Sequence, residues 1–307
     1  MELRFPYLRS LWPAIARPGY LFSTCLLTAI LIYANYAGRL QFRWLLNAPG
    51  YTALLIRAFA LYAIPYWLVF TFQYLFFPNL SFHRDKWWWV IVLSAPALFA
   101  CRTTFHLLDA PIRDTWAAPY RVFYFNSAGY LVRALFLIVP ITVIWMAKDR
   151  IEQPPYGLKK PATWAYTRLL LLFVIPLLII AIRQPSFLLV YPKAACLFPI
   201  PTPTWASHWY YVVFEACYAM DLFSMEFFFR GLLVLGLFQV CKEHALLPAA
   251  VFYCTIHFGK PFAECVSSFF GAIMLGMLAI RTGSIYGGVL LHVLLAFGLE
   301  VLCCWIR

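Results

Sequence analysis

The stretch SMEFFFRGLLVLGLF, residues 224–238, places a glutamate and an arginine inside an otherwise apolar run. Two later apolar runs each hold one histidine: AAVFYCTIHFGKP at residues 249–261 and SIYGGVLLHVLLAFG at residues 284–298. A charged side chain at the centre of a bilayer costs about 2.5 to 3.5 kcal/mol on insertion scales, and such residues usually mark a pathway or a reaction site. The candidate site residues are therefore Glu226, Arg230, His257 and His292.

The rest of the chain has the composition of a membrane protein. Of its 307 residues, 64% are hydrophobic and 12% charged, and apolar stretches long enough to span a bilayer recur throughout. We predict an all-α, polytopic integral membrane protein with about eight or nine transmembrane helices. The predicted spans are residues 20–37, 52–77, 87–107, 127–147, 168–182, 208–239, 246–258, 264–281 and 284–305. The span 208–239 exceeds one upright helix, so it should be tilted, broken near Met225 or partly interfacial.

The net charge of +12 is spread over short loops beside Trp and Tyr, which predicts membrane lipids as partners and argues against nucleic acid. The loop from Lys148 to Arg168 is the densest basic cluster and should face the cytoplasm, which would put the N-terminus there too. The N-terminal stretch RFPYLRSLWPAIARPGY is basic and amphipathic and lacks a signal-peptidase-like site, so the following span should be retained.

A proline-rich segment, residues 183–206, divides the chain and should be extended and extramembrane. It separates an N-terminal transmembrane region, 1–182, from a C-terminal core, 207–307, that contains the candidate site. The nine cysteines lie mostly in apolar runs without a C-x-x-C pair, so we interpret them as buried apolar residues and not as a disulfide framework.

The helical spacing predicts which polar residues share a face. Glu226 and Arg230 are four residues apart and can pair, either as part of a reaction site or merely to tie helices together. Asp221 lies about one turn before Met225 and could join the site, whereas Glu215 is three turns from Glu226 and should not.

We predict that the four candidates converge in one cavity, because embedded polar groups are less costly when they share partners and water. Small residues at Ala272 with Gly276, and at Gly283 with Gly287, have the spacing that permits close helix packing.

Two chemistries suit these side chains. A carboxylate beside an imidazole can activate water as a general base, with a second imidazole stabilising the oxyanion. Alternatively, one glutamate and two histidines could bind a catalytic zinc with an open position; the zinc ligands would be Glu226, His257 and His292. No H-E-x-x-H motif is present, and we favour the chemistry that needs no metal or other cofactor.

At these residues the chain resembles the CPBP family, the CAAX-protease and bacteriocin-processing group of intramembrane proteases, also called Abi proteins. Its pattern of E-E-x-x-x-R, F-x-x-x-H and H-x-x-x-N on three helices is similar to MEFFFRG from Met225, YCTIH from Tyr253 and HVLLA from His292. The resemblance covers about residues 205–307. It implies a helical protease core in which a glutamate and the first histidine activate water, and in which the second histidine and an asparagine bind the oxyanion.

The chain departs from this pattern at two positions. Met225 replaces the first glutamate, and Ala296 replaces the asparagine. Loss of one oxyanion donor typically lowers the rate about 10² to 10³-fold. The resemblance therefore implies that Glu226 acts as the surviving base, with Arg230 orienting it, or that the site has lost its activity.

Three functions follow from these residues. The first is an intramembrane endopeptidase that hydrolyses a peptide at the membrane surface, and the second is a catalytically degenerate relative that binds a peptide, lipid or partner subunit. The third, a proton-coupled transporter, is least favoured because the hydrophobic segments show no inverted repeat. The resemblance further implies a bacterial inner membrane as the location.

Overall fold

The computed structural model describes residues 17–106, 108–151, 154–197 and 205–306, and these residues form helices and turns without any strand. The predicted all-α class is confirmed. Most of the basic N-terminal stretch lies outside the described residues. The α-helices are α1 (Pro18–Tyr36), α2 (Tyr51–Phe76), α3 (Lys86–Thr104), α4 (Asp109–Thr115), α5 (Ala118–Lys148), α6 (Ala165–Leu171), α7 (Val174–Ile182), α8 (Pro185–Leu188), α9 (Trp205–Glu226), α10 (Leu237–Cys241), α11 (Leu246–Thr255), α12 (Phe262–Thr282) and α13 (Tyr286–Ile306).

Seven segments of the described chain are long and apolar enough to cross a membrane, which confirms a polytopic membrane protein. They are Pro18–Tyr36, Tyr51–Phe76, Tyr120–Lys148, Ala165–Ile182, Trp209–Thr255, Phe262–Thr282 and Tyr286–Ile306. The number is lower than the predicted eight or nine for two reasons. The predicted spans 208–239 and 246–258 form one continuous helical stretch, and α3, predicted as a span, is not among the seven.

Proline occurs inside several of the long helices: Pro65 in α2, Pro96 in α3 and Pro140 in α5. An interior proline removes a backbone hydrogen bond, but membrane helices tolerate it because neighbouring groups satisfy the exposed carbonyl. Pro18 stands at the first turn of α1, where its missing N–H would have no intrahelical partner in any case.

The described chain divides into two compact units, and each combines segments from distant parts of the sequence. The first contains Met1–Ala100 and Phe229–Ile280. Within it, Asn35 Nδ2 donates to the Phe258 carbonyl at 2.9 Å, and Gln73 Nε2 donates to the His244 carbonyl at 2.6 Å. These bonds fix α1 and α2 to the two ends of α11.

The second unit contains Cys101–Phe228 and Arg281–Arg307. Here α5 and α9 pack side by side and run in the same direction, as ring contacts show. Phe123 lies 4.8 Å from Tyr210, and Tyr130 lies 5.5 Å from Phe214, measured between ring centroids.

The proline-rich connector is partly helical, so the expectation of an extended segment is wrong for its described residues. Pro185 begins the short helix α8, a position that its fixed φ favours, and a 3₁₀ turn covers Lys193–Leu197. The buried Glu300 carboxylate in α13 accepts hydrogen bonds from the backbone N–H groups of Lys193 and Ala194, at 2.8 and 3.1 Å. This attachment explains the turn, because the carboxylate satisfies two N–H groups at its start. Residues 198–204 lie outside the described chain.

The turn between α12 and α13 is held by the basic loop. Gly283 adopts a left-handed conformation, with φ of 61°, and an added Cβ would lie 3.0 Å from Lys159 Cε. The Ser284 hydroxyl donates to the Lys159 carbonyl at 2.6 Å, and the Ala162 N–H donates to the Thr282 carbonyl at 3.0 Å. Gly283 is therefore a turn residue. The sequence-based prediction that it forms a helix-packing pair with Gly287 is wrong.

Candidate functional site

The helix that carries Glu226 and Arg230 changes type between them. The α-helix α9 ends at Glu226, and a π-helical segment runs from Phe227 to Gly236. The predicted irregularity near Met225 is therefore present as a change in backbone hydrogen bonding. Long π-helical segments are rare and often mark functional sites, because the wider turn shifts side chains around the axis.

Glu226 pairs with His292 in the second unit. The Glu226 side chain is fully buried, and its Oε1 lies 3.1 Å from Nδ1 of His292, whose side chain is 21% exposed. A carboxylate accepts hydrogen bonds, so Nδ1 carries the proton when the glutamate is ionised. The imidazole is thereby oriented by a buried carboxylate, and of the two side chains only the imidazole is accessible.

Gly288 makes room for this carboxylate. An added Cβ at Gly288, one turn before His292 on α13, would lie 2.5 Å from Glu226 Oε2. No methyl group fits there without displacing the carboxylate. This close approach is made by Gly288, which is not a member of the predicted small-residue pairs.

Arg230 and His257 belong to the first unit, where both contact Tyr253. The Arg230 guanidinium lies over the Tyr253 ring, 4.3 Å from its centroid, and the His257 ring centroid is 4.6 Å from the same ring. His257 Nδ1 is 2.8 Å from the Tyr253 carbonyl oxygen. A carbonyl can only accept, so Nδ1 donates, and Nε2 of a neutral His257 holds the lone pair.

The four candidates thus occur as two pairs, one pair in each unit. In the second unit Glu226 contacts His292 directly. In the first unit Arg230 and His257 both contact the Tyr253 ring. The convergence of all four in one cavity stays a prediction, as does the ion pair between Glu226 and Arg230.

Asp221 has a partner that the sequence did not indicate. Arg102, in the last turn of α3, donates from Nη2 to Asp221 Oδ1 at 2.6 Å, and both side chains are almost fully buried. The carboxylate of Asp221 is therefore neutralised by an arginine 119 positions earlier. The suggestion that Asp221 assists Glu226 loses its basis, because this carboxylate already has an ionic partner.

The two positions that depart from the family pattern are both buried. Ala296 lies in an apolar cluster with Phe214, Tyr218 and Leu222, and Met225 is 8% exposed. The environment of Ala296 suits the methyl group that is present and would leave an amide with few polar partners. The apolar surroundings of position 296 therefore match the alanine found there.

A metal centre was the alternative use of Glu226 and the two histidines. Among the residues that the structure describes, no group of three or more His, Cys, Asp or Glu side chains is placed to hold a metal ion. Glu226 and His292 provide two donor side chains of the types that zinc binds, which leaves the third ligand of the zinc hypothesis as a prediction.

Three features of the site were missed from the sequence: the role of Gly288, the contacts of Tyr253 with Arg230, and Arg102 as the partner of Asp221. Only Tyr253 had a usable signal, since it stands four residues before His257 and thus one helical turn away. The other two contacts join helices that are distant in sequence.

The helical fold and the buried carboxylate–imidazole pair define a polytopic α-helical membrane protein with an embedded polar site. Residues 206–298 match the family model described as Type II CAAX prenyl endopeptidase Rce1-like. This match, over about a third of the chain, confirms the resemblance seen in the three motifs and supports membership of this region in the CPBP family of CAAX-protease-like membrane proteins. Neither a curated protein nor a solved structure matches the chain significantly.

Proposed function

We propose that the protein is an intramembrane endopeptidase that hydrolyses a peptide near the membrane surface. The observation that carries the proposal is the buried Glu226 carboxylate 3.1 Å from Nδ1 of His292, within the region that matches the endopeptidase family. Water-activating sites commonly combine an imidazole with a carboxylate that orients it.

The exposure of the two side chains favours a particular division of roles. His292 is accessible and Glu226 is not, so Nε2 of His292 would take the proton from the attacking water. Glu226 would hold Nδ1–H and stabilise the imidazolium that forms, as the aspartate of a Ser-His-Asp triad does. These roles differ from those implied by the family resemblance, in which the glutamate is the base and the second histidine binds the oxyanion.

The remaining steps are assigned to the other motif residues, with the two histidine roles exchanged relative to the family pattern, and not from distances. After water attacks the peptide carbonyl, the oxyanion needs a donor and the leaving amine needs a proton. The imidazolium of His292 can return its proton to the amine, and a protonated His257 could donate from Nε2 to the oxyanion. Arg230 would take the orienting role that the family resemblance implies for the arginine of the first motif.

The degenerate, binding-only function is the second candidate, and the apolar residues Met225 and Ala296 at two polar positions of the family pattern favour it. Cleavage of peptides by purified full-length protein in proteoliposomes separates the two functions. A prenylated peptide is the first substrate to test, because the matching family model is described as a CAAX prenyl endopeptidase. Cleavage that resists a chelator supports the proposal. Loss of cleavage with the chelator, regained with zinc, would establish the metal mechanism instead.

Met225→Glu restores the family pattern and should leave cleavage unchanged or raise it, because it adds the carboxylate that acts as the base in that pattern. The measurement is the initial rate of peptide release for the wild type and the variant. Binding of the peptide without cleavage by either protein would establish the binding function.

Gly288→Ala should lower cleavage by about 10-fold to 100-fold, because the new methyl group would displace the Glu226 carboxylate and misplace the imidazole that it orients. The assay compares kcat and KM, and kcat should carry the loss.

Gly298→Ala on the same helix is the matched control. Its added methyl group would meet the Leu178 side chain, 2.6 Å from Cδ1, and not a polar group of the site. Equal losses in both variants would show that the effect comes from helix packing, and an unchanged Gly288→Ala enzyme would contradict the proposed role of Glu226.

We further propose that the protein resides in a bacterial inner membrane with a cytoplasmic N-terminus, an orientation that requires α3 to cross the membrane as a fourth span before the basic loop. The support is the cluster of basic residues in the loop between Lys148 and Arg168, since such residues are retained on the cytoplasmic side. Its proposed partners are membrane lipids and a peptide or protein, either as substrate or as a membrane subunit.

A further inference from the structure

Cys254 and Cys265 bring two thiols together beside the turn that carries His257. Cys254 lies in the last turn of α11, and Cys265 lies in the first turn of α12. Their Sγ atoms are 3.9 Å apart, and both cysteines are free thiols that are almost fully buried. Both residues belong to the first unit, and the proposed mechanism uses neither of them.

The backbones at the two cysteines are also close together. The Cys254 thiol lies 3.6 Å from the Cys265 carbonyl oxygen, and the Cys265 thiol lies 3.8 Å from the Cys254 carbonyl oxygen. Each side chain is therefore directed at the other residue and not away from it. A disulfide has an S–S distance of about 2.05 Å, so the sulfur atoms, now 3.9 Å apart, must approach by about 2 Å to form one.

The turn between the two cysteines places the thiols close to the membrane surface. Lys260 and Glu264 form an ion pair at 2.9 Å, with side chains 26% and 18% exposed, and Phe262 is 57% exposed. Charged side chains at the end of a membrane helix lie at the water interface. Cys265 follows Glu264 directly, so its thiol and that of Cys254 lie just beneath this interface. Hydrogen peroxide is small and uncharged and can reach them without a polar channel.

Cys254 is bonded to His257 through the backbone. The Cys254 carbonyl accepts a hydrogen bond from the His257 N–H at 3.0 Å, and the preceding carbonyl, of Tyr253, accepts one from Nδ1 of the His257 ring at 2.8 Å. A shift of the last turn of α11 toward α12 therefore moves His257 as well. Misplacement of a catalytic group by about 1 Å can lower a rate about 10²-fold.

We propose that Cys254 and Cys265 form a dithiol that a peroxide oxidises to a disulfide, and that this disulfide displaces His257. One thiol, as its thiolate, attacks hydrogen peroxide and breaks the O–O bond; it becomes a sulfenic acid, and its proton leaves with the released hydroxide as water. The second thiol attacks the sulfenic sulfur, the S–S bond forms, and its proton leaves with the hydroxyl group as a second water. The sulfur atoms lose two electrons and two protons, and one peroxide becomes two waters. The effect on His257 rests on the proposed protease function, whereas the disulfide does not.

Peptide mapping of the full-length protein in detergent tests the disulfide. Digestion after glutamate gives peptides 244–264 and 265–300, whose only cysteines are Cys254 and Cys265. After treatment with hydrogen peroxide and blocking of the remaining thiols, these peptides should appear as one joined species, lighter than their sum by two hydrogen atoms. A thiol reductant should separate them. Cys254→Ala and Cys265→Ala should each abolish the joined species.

Cys241→Ala is the matched control, because Cys241 is equally buried in the same unit but lies on α10. It should form the joined peptides as the wild type does. Separate peptides from folded, peroxide-treated wild type would overturn the proposal, whether their thiols are intact or have been oxidised singly to sulfinic acid.

The cleavage assay tests the effect on His257. Peroxide should lower the cleavage rate of the wild type by about 10-fold to 100-fold, and a thiol reductant should restore it. The rate of Cys254→Ala should not respond to peroxide, which would exclude oxidation elsewhere as the cause. A mapped disulfide with an unchanged cleavage rate would overturn the link to His257. Absence of cleavage before peroxide would contradict the proposed function and this link together, and the peptide map would still decide the disulfide.

Discussion

Glu226→Gln should reduce peptide cleavage by about 10² to 10⁴-fold, the range expected when general-base catalysis is lost. Glutamine keeps the shape of the side chain and can still accept a hydrogen bond from Nδ1 of His292. It carries no negative charge, however, and cannot stabilise the imidazolium that forms when His292 takes a proton from water. The loss should therefore appear in kcat more than in KM.

Glu264→Gln is the control for the Glu226 variant. Glu264 accepts a hydrogen bond from Lys260 at 2.9 Å on α12, and its side chain is 18% exposed. Its replacement should leave cleavage near the wild-type rate. A Glu226→Gln protein that still cleaves at that rate would end the assignment of Glu226, whatever the behaviour of the control.

Arg102→Ala should destabilise the protein by about 3 to 5 kcal/mol, because it leaves the Asp221 carboxylate buried without its ionic partner. The two side chains are 8% and 11% exposed, so water screens them little. Chemical or thermal unfolding in detergent would measure the effect. The reciprocal change, Asp221→Asn, should also destabilise, since it leaves the buried Arg102 guanidinium without its carboxylate.

The double variant Arg102→Met with Asp221→Leu should recover most of this loss, because an apolar pair removes the desolvation cost of both charges. Arg113→Ala is a control from the same unit. Arg113 and Asp114 are also in contact, at 3.3 Å, but their side chains are 66% and 69% exposed. An exposed pair contributes at most about 1 kcal/mol, so a similar loss in Arg113→Ala would show that burial is not the cause.

The sequence by itself determined the class of the protein and the residue types of its site. Long apolar runs with few charges can form stable structure only as helices in a bilayer, which gave the all-α membrane fold. Four polar residues stand out in such runs because lipid penalises charge: Glu226, Arg230, His257 and His292. Their order along the chain is that of the CPBP motifs. These inferences depend on composition, spacing and order alone.

The tertiary structure decided which side chains meet. Helical spacing indicates neighbours only three or four positions away, and it suggested Arg230 and Asp221 as companions of Glu226. The contacts described in the second unit join Glu226 to His292, 66 positions later, and Asp221 to Arg102, 119 positions earlier. Gly288 became recognisable only when α13 was seen against the Glu226 carboxylate. Such pairings depend on which helices pack together and in which register. Residues far apart in sequence carry no local signal of that packing.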